Sequence, residues 1–214
     1  MGFVQSKSVY KGAETWPKAT GLVGIGITLY EVLSIRGPSV TYHPFSRKDP
    51  WELNVGVRYF NDNRPWMDFS NHEEDYRNQR GDSVNSFASL KYKFGLRNKF
   101  FFGLSVEKEL IEHYGWHTEA SAGVPLVPYT SLSGTYSFAG GKSNKYAYGP
   151  EAVNGEGFFS LGLKVVFPHL PWPGIAMILA DKSWILQDEN KNADYVRGHS
   201  QNFVLSTRVI WSFY

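Results

Sequence analysis

The chain has 214 residues, enough for one domain with a sizeable core or for one mid-sized barrel. Its 22 basic and 20 acidic residues give a formal charge of +2, which is too small for an overall electrostatic field that recruits nucleic acid. The chain has no cysteine, which excludes disulfides and cysteine-bound zinc. Phe, Tyr and Trp make up 16% of the residues, which favours closely packed strands. No apolar run approaches the length of a transmembrane helix.

Apolar and polar residues alternate with a period of two along most of the chain, which predicts strands. Trp51, Leu53 and Val55 share one face, for example, while Glu52 and Asn54 share the other. No segment shows a sustained helical period, so the predicted fold class is all-β. In chain order, the predicted strands lie near residues 20–30, 31–43, 51–59, 84–95, 100–107, 116–124, 128–139, 159–167, 173–185 and 203–213.

Strand length and the position of aromatic residues favour a membrane barrel over a soluble sandwich. Strands of about ten residues can cross a bilayer at a tilt, whereas globular strands average about half that length. Aromatic rings gather near strand ends, where they suit the headgroup boundary. We predict a transmembrane antiparallel up-and-down β-barrel of about ten strands, with twelve as the alternative. The aromatic residues concerned are Tyr30, Trp51, Tyr59, Phe94, Phe100, Tyr114, Trp116, Tyr129, Phe138, Phe167, Trp172, Trp184 and Trp211.

Short and long connections alternate between these strands, and outer-membrane barrels have short periplasmic turns and long outer loops. On this basis 44–50 is predicted to be periplasmic and the break near 30–32 to be an outer turn. Residues 1–17 are predicted to be an N-terminal periplasmic or plug segment, or a broken extra strand pair, ahead of a barrel over 18–214. Because the first residues lack the apolar core of a signal peptide, an exported protein would appear here as a mature chain with an added Met1.

Short motifs follow one another in a consistent order over nearly the whole chain. They are Tyr10-Lys11-Gly12, Trp16-Pro17, Ile35-Arg36-Gly37, Glu73-Glu74-Asp75-Tyr76-Arg77, Arg80-Gly81-Asp82-Ser83 and Asn144-Lys145-Tyr146-Ala147-Tyr148-Gly149. Together they resemble the MltA-interacting protein (MipA/OmpV) family, outer-membrane β-barrels of Gram-negative bacteria. One departure is that the C-terminal apolar stripe ends at Phe213, which leaves Tyr214 out of phase, whereas such barrels usually end on the aromatic residue itself.

The resemblance implies a location in the bacterial outer membrane and a role without catalysis. Members of the family are described as scaffolds that link a lytic transglycosylase to a peptidoglycan synthase. The expected partners are therefore periplasmic murein hydrolases and synthases, besides outer-membrane lipid and lipopolysaccharide. We expect a monomeric scaffold or interaction protein of the cell envelope. A small-solute channel is the first alternative, and a barrel enzyme that modifies lipid A or phospholipid is the second.

The polar faces of the predicted strands carry charges of both signs, which would line a selective pore or form a structural network. We favour the network, in which opposite charges pair and fill a narrow lumen, because the signs nearly balance and no ring of a single sign appears. The lumen-lining candidates are Glu52, Arg58, Lys91, Lys93, Glu107, Glu109, His117, Glu119, Lys164 and Arg208. Candidate contacts for a periplasmic partner are Arg47, Lys48, Arg97 and Trp172.

Two clusters suggest chemistry but have simpler interpretations. His113, His117 and Glu119, with Ser105 or Ser121, suggest a lipid hydrolase. However, His117 and Glu119 lie on the inward stripe, and the chain has no Gly-x-Ser-x-Gly elbow. The carboxylates of loop 61–83 are of the type that binds calcium, but their spacing is not that of an EF-hand. The arginines of the same loop can neutralise their charge. We therefore predict no catalytic residue, no metal and no cofactor.

Overall fold

The computed structural model describes residues 2–5, 8–16, 20–23, 26–45, 49–60, 67–68, 82–95, 100–168, 174–196 and 199–211. Within these ranges no helix is long and apolar enough to cross a membrane. The first nine strands are β1 (Gly2–Gln5), β2 (Ser8–Tyr10), β3 (Ala13–Trp16), β4 (Thr20–Val23), β5 (Gly26–Leu29), β6 (Leu33–Arg36), β7 (Ser39–Tyr42), β8 (Trp51–Phe60) and β9 (Met67–Asp68). The remaining elements are β10 (Ser83–Phe94), β11 (Phe100–Glu109), β12 (Trp116–Val127), β13 (Thr130–Ala139), α1 (Gly141–Tyr148), β14 (Gly155–Phe167), β15 (Gly174–Ile185), α2 (Asp188–Asn192) and β16 (Gln201–Trp211).

One antiparallel sheet contains fourteen of these strands. Eleven of them, from β5 to β16 without β9, follow one another in chain order, which confirms the prediction of an all-β, up-and-down antiparallel fold. Beyond β16 the sheet continues through β1, β4 and β9, while β2 and β3 form a separate hairpin. Among the described residues the ladder of hydrogen bonds does not close on itself, because β5 and β9 form its two edges.

The chain itself joins the two ends of this sheet. β4 ends at Val23 and β5 begins at Gly26, so their Cα atoms lie within about 11 Å of each other. In a flat sheet β4 and β5 would be roughly 58 Å apart, because twelve spacings of about 4.8 Å separate them in the strand order. The sheet must therefore curl until its ends approach each other, which gives it an inner and an outer face.

The first third of the chain differs from its prediction. The predicted single strand 31–43 is a hairpin of β6 and β7, which turns at Gly37 and Pro38. Gly37 has a φ of 52°, which glycine adopts without strain, and Pro38 has no N–H to donate to a ladder. This extra reversal raises the count from ten strands to eleven. It also places the 30–32 turn at the same end as 44–50, so the prediction of opposite ends is wrong.

The side chains of the long strands alternate between the two faces. The exposed face is apolar and the buried face is polar, which is the reverse of the arrangement in a soluble protein. Large apolar side chains are exposed on the outer face, where Phe102 is 49% and Leu104 is 53% exposed. The inner face buries polar side chains instead, and Asn85, His117 and Asn202 are each no more than 3% exposed. A water-soluble sheet would bury the apolar face and expose the polar one.

Two connections at one end of the sheet pack together into a small folded unit, which we call the cap. Asn190 joins the two connections, because its Oδ1 accepts the Val153 N–H at 3.0 Å and its Nδ2 donates to the Glu156 carbonyl at 3.0 Å. The helices α1 and α2 were not predicted, since both are short and polar. The cap comprises residues 140–154 and 186–196, and its apolar core consists of Ala147, Tyr148, Ala152, Ala193 and Val196 together with Ile185 at the end of β15.

Candidate functional site

The hairpin of β2 and β3, which we call the plug hairpin (residues 8–16), has its turn at Lys11 and Gly12 fixed from two directions. The Gly12 carbonyl accepts a hydrogen bond from Asn202 Nδ2 of β16 at 2.8 Å. The hydroxyl of Tyr148, in the cap, donates to the Lys11 carbonyl at 2.9 Å. The turn is thus held between the sheet and the cap by its own backbone carbonyls.

The Lys11 side chain reaches strands far from β16. Its Nζ donates to Ser143 Oγ of the cap at 3.2 Å and lies 3.9 Å from Glu107 Oε2 of β11. Glu107 in turn lies 3.8 Å from Arg58 of β8, measured from Oε1 to Nη1. Burial lowers the pKa of the Lys11 ammonium, while the carboxylates of Glu107 and Glu119 act in the opposite direction. The plug hairpin therefore bridges the inner face from β16 to β11 close to the cap, and Glu107 extends this network to Arg58 of β8.

His117 and Glu119 form a second polar pair on the inner face of β12. His117 Nε2 lies 2.9 Å from Glu119 Oε1, and the imidazole stacks on Phe158 with ring centroids 6.1 Å apart. The other ring nitrogen, Nδ1, is buried and has no partner in the described part of the chain. The predicted histidine and acid are thus together, but no serine hydroxyl among the described residues binds this nitrogen.

Glu109 ends β11 and organises the loop that follows it. Its carboxylate accepts the backbone N–H groups of Ile111 and Glu112 at 2.9 Å, and those of His113 and Tyr114 at 2.8 Å. One side chain thus satisfies four donors that the strand ladder leaves unpaired. The sequence prediction counted Glu109 among the lumen-lining charges and missed this structural role.

His113 lies in this loop, and its contacts favour the neutral form of its imidazole. Its Nδ1 accepts the Gly115 N–H at 3.0 Å, which requires an unprotonated nitrogen, and its ring stands against Tyr146 with centroids 4.5 Å apart. Burial lowers the pKa of His113 to about 4, against the opposing effect of Glu109. Three ammonium groups add to the lowering, those of Lys11, Lys108 and Lys142.

We expect His113 to make the fold less stable in acid. A histidine with a lowered pKa contributes stability above its unfolded value of about 6.5 and loses it as the pH falls towards 4. The full shift corresponds to about 3 kcal/mol, and partial exposure reduces the expected loss to about 1 kcal/mol. Urea unfolding at pH 7.5 and pH 4.5 should show this difference for the natural chain and not for His113→Asn, whose amide oxygen accepts the same bond without titrating. Equal pH dependence of both proteins would contradict it.

The other end of the sheet, where β12 and β13 meet at Pro128 and Tyr129, is the turn end. Inner-face side chains here are more exposed than those near the cap. Lys164 and Arg208 are exposed although they lie on the inner face, and Lys91 is partly exposed. Among the described residues the inner face is therefore more deeply buried near the cap than at the turn end. The buried inner-face residues near the cap include Asn85, Glu109, His117 and Ser137.

The charges of the interior are also sorted between these two ends. Near the cap, Glu107 and Glu119 face Lys11, Arg58 and His117 in paired contacts. At the turn end the described inner-face residues include four basic ones and two acidic ones. These are Lys91, Lys93, Lys164 and Arg208, with Glu52 and Asp181. Ion pairs thus occur near the cap and also at the turn end, between Lys93 and Glu52, where basic residues outnumber acidic ones among the described inner-face residues.

Other predicted contacts lie outside the described residues, namely Arg47, Lys48, Arg97 and Trp172. Most of the acidic loop 61–83 does so too. Within the described ranges, no three His, Asp or Glu side chains are close enough together to hold a metal ion. The sequence prediction did not identify Lys11 as a functional residue, although a glycine such as Gly12 between two short alternating runs indicates a hairpin turn.

Comparison with known proteins leaves the family open. No family model matches this chain, and no curated protein matches it either. The resemblance to the MipA/OmpV family therefore stays a prediction, and the functional argument depends on the geometry described above.

Proposed function

We propose that this chain is an outer-membrane β-barrel that acts as a scaffold or interaction protein of the bacterial envelope. The reversed polarity of the sheet carries this proposal. Side chains such as Leu104, Leu163 and Leu205 face outward over the middle of long strands, where each would stand in water in a soluble protein. Lipid removes this surface from water, at roughly 25 cal/mol for each square ångström. The polar inner face then serves as the filling of a lumen.

Aromatic residues on the outer face support a membrane position. They form one band at the turn end and another at the cap end, with neighbouring ring centroids 4.5 to 5.9 Å apart. β8 has ten residues, which span about 33 Å and, when tilted, match an apolar band of about 25 Å. The turn-end band contains Trp51, Tyr92, Phe94 and Phe100, and the cap-end band contains Trp116, Phe138, Phe159 and Trp184.

In this proposal the barrel closes through the connection between β4 and β5. β4 pairs with β1 and β5 pairs with β6, and only two residues separate them in the chain. A single strand made of both would pair with β1 through its first half and with β6 through its second. The sheet would then close into a barrel of twelve strands, which leaves no edge exposed to lipid.

The plug hairpin favours a binding role over conduction. It bridges the interior near the cap, and its Lys11 is tied to Glu107 and Ser143. A lumen whose described inner face is buried near the cap and exposed at the turn end suits a protein that receives a partner from one side. The turn end is the periplasmic end in this proposal, so periplasmic murein hydrolases or synthases are the proposed partners of a monomeric barrel.

Three measurements on the same preparation test this function. We expect capture of a murein hydrolase or synthase from solubilised envelopes, no steady conductance in planar bilayers, and no change in the acyl pattern of lipid A. Steady conductance without a periplasmic partner would favour the channel instead. A changed acyl pattern that disappears in His117→Ala would favour the enzyme.

A further inference from the structure

We infer that Ser34, His43 and Asn54 form a catalytic set that hydrolyses short-chain, water-soluble carboxylic esters. This activity goes beyond the proposed scaffold role. Only the choice of a water-soluble substrate rests on that proposal, because the inner face of the proposed barrel is screened from lipid. The inference depends on a serine that contacts a histidine, on a network that fixes the proton of this histidine, and on the short side chains around the serine.

The hairpin of β6 and β7 brings Ser34 and His43 together on the inner face. In the single strand predicted over 31–43, these two residues would lie about 30 Å apart and on opposite faces. The turn between β6 and β7 instead places Ser34 Oγ 3.0 Å from His43 Nε2. The His43 N–H donates to the Val32 carbonyl at 2.6 Å, which holds the histidine beside β6. The contact between hydroxyl and imidazole is thus positioned by paired backbone.

A hydrogen-bond network on β8 and β10 determines which nitrogen of His43 carries the proton. Glu52 Oε2 is bound by Lys93 Nζ at 2.7 Å, so the carboxylate is ionised and its Oε1 can only accept. This Oε1 lies 3.2 Å from Asn54 Nδ2, which leaves Asn54 Oδ1 as the acceptor 2.5 Å from His43 Nδ1. Nδ1 therefore carries the proton, and the lone pair of Nε2 faces the Ser34 hydroxyl. In this tautomer a histidine acts as the general base for a serine.

The surroundings of Ser34 favour a small acyl group. Ser34 is only 3% exposed, and the residues directly opposite it on β5 and β7 are Thr28 and Thr41, whose side chains are short. Thr28 is itself exposed, and its Oγ1 lies 3.3 Å from Ser34 Oγ. Its hydroxyl can therefore donate to the oxyanion that forms on the substrate. Because Ser34 is covered to this degree, an acyl group has to be short to reach it.

The reaction proceeds through an acyl group held on Ser34. The Ser34 oxygen attacks the ester carbonyl carbon while His43 Nε2 takes the hydroxyl proton. Breakdown of the tetrahedral intermediate releases the alcohol, which receives that proton from His43. Water then attacks the acyl group and gives a proton to His43, and the Ser34 oxygen leaves and takes this proton back. The products are one carboxylic acid and one alcohol, and water is the only co-reactant.

Covalent labelling of the full chain, folded in zwitterionic detergent, tests the nucleophile directly. Diisopropyl fluorophosphate reacts with serines that a base activates, so mass analysis of the natural chain should place the adduct on Ser34. His43→Gln should slow this labelling at least about a hundredfold, because the general base is lost. The matched control is Ser206→Ala, which removes another buried inner-face serine, 5% exposed, and should leave labelling unchanged.

Hydrolysis of p-nitrophenyl acetate, beside p-nitrophenyl palmitate, tests the activity and the substrate class. The natural chain should hydrolyse the acetate and not the palmitate, and Ser34→Ala should lower kcat/KM for the acetate at least about a hundredfold. A folded natural chain without an adduct on Ser34, or a Ser34→Ala protein as active as the natural chain, would overturn the inference. Hydrolysis of the palmitate alone would overturn the short-chain class.

Every preparation is first checked for heat-modifiable migration on a gel. Labelling of the natural chain needs no substitution, so it decides the inference even if a variant does not fold. Failure of the natural chain at the gel step would count against the barrel itself, so the two failures are distinguishable.

Discussion

Replacing Leu104 with arginine should lower the free energy of folding into bilayers by about 2–4 kcal/mol. Leu104 lies in the middle of β11, is 53% exposed on the outer face, and has the apolar Leu90 and Ala120 directly opposite. In lipid the new guanidinium would face hydrocarbon, whereas in water the same exposed substitution changes stability by only about 0.5 kcal/mol. Urea titration of folding into phosphatidylcholine vesicles measures the difference.

The matched control is Tyr30→Arg, because Tyr30 is 94% exposed in the turn between β5 and β6. This variant should fold within about 0.5 kcal/mol of the natural chain, since the turn lies outside the strands. Ser105→Arg tests the inner face next to Leu104, where the result should depend on space instead of hydrophobicity. If Leu104→Arg folds into bilayers as well as the natural chain, the assignment of inner and outer faces is wrong.

Replacing Gly12 with valine should displace the plug hairpin and produce conductance steps that the natural chain lacks. Gly12 has a φ of +84°, and a Cβ there would lie 2.7 Å from the Cβ of Phe158. A side chain in this backbone region costs about 1–3 kcal/mol before the contact with Phe158 is counted. Once the turn at Lys11 and Gly12 is displaced, the contact of Lys11 with Glu107 is lost. Planar-bilayer recording of Gly12→Val beside the natural chain measures the change.

Gly37→Val is the control for backbone strain alone. Gly37 also has a positive φ, of 52°, but nothing lies within 4 Å of a Cβ built there. The Gly37→Val protein should therefore be less stable than the natural chain but show no conductance steps in the bilayer. Tyr148→Phe removes the hydroxyl that binds the Lys11 carbonyl and should increase opening in the same direction as Gly12→Val. A heat-modifiable Gly12→Val protein that stays as silent as the natural chain would contradict the role of the plug hairpin.

The long strands were predictable from the sequence because each carries enough residues to show its period. β11 and β12, with ten and twelve residues, follow the alternation read from the chain. The first third was predicted less well, since β5, β6 and β7 have only four residues each and their turns interrupt the pattern. The helix α1 was missed for a related reason, because eight residues form little more than two turns and show no sustained apolar period.

The arrangement of the interior could be predicted only in part. A period of two shows which residues share a face, so Glu107, His117 and Lys164 were identified as inner-face residues. It does not show how far each lies from either end of the sheet, nor which strands the plug hairpin contacts. The contact of Lys11 with Glu107 and the excess of basic residues at the turn end both depend on this missing information.

The central claim is that the apolar face of the sheet lies in lipid, and labelling two adjacent residues tests it most directly. The chain has no cysteine, so Leu104→Cys and Ser105→Cys each accept a single fluorophore. In vesicles we expect brominated lipids to quench the label at position 104 strongly and the label at 105 weakly, because successive side chains point to opposite faces. Equal quenching at both positions, or a chain that stays monomeric in water with neither label quenched, would contradict the claim.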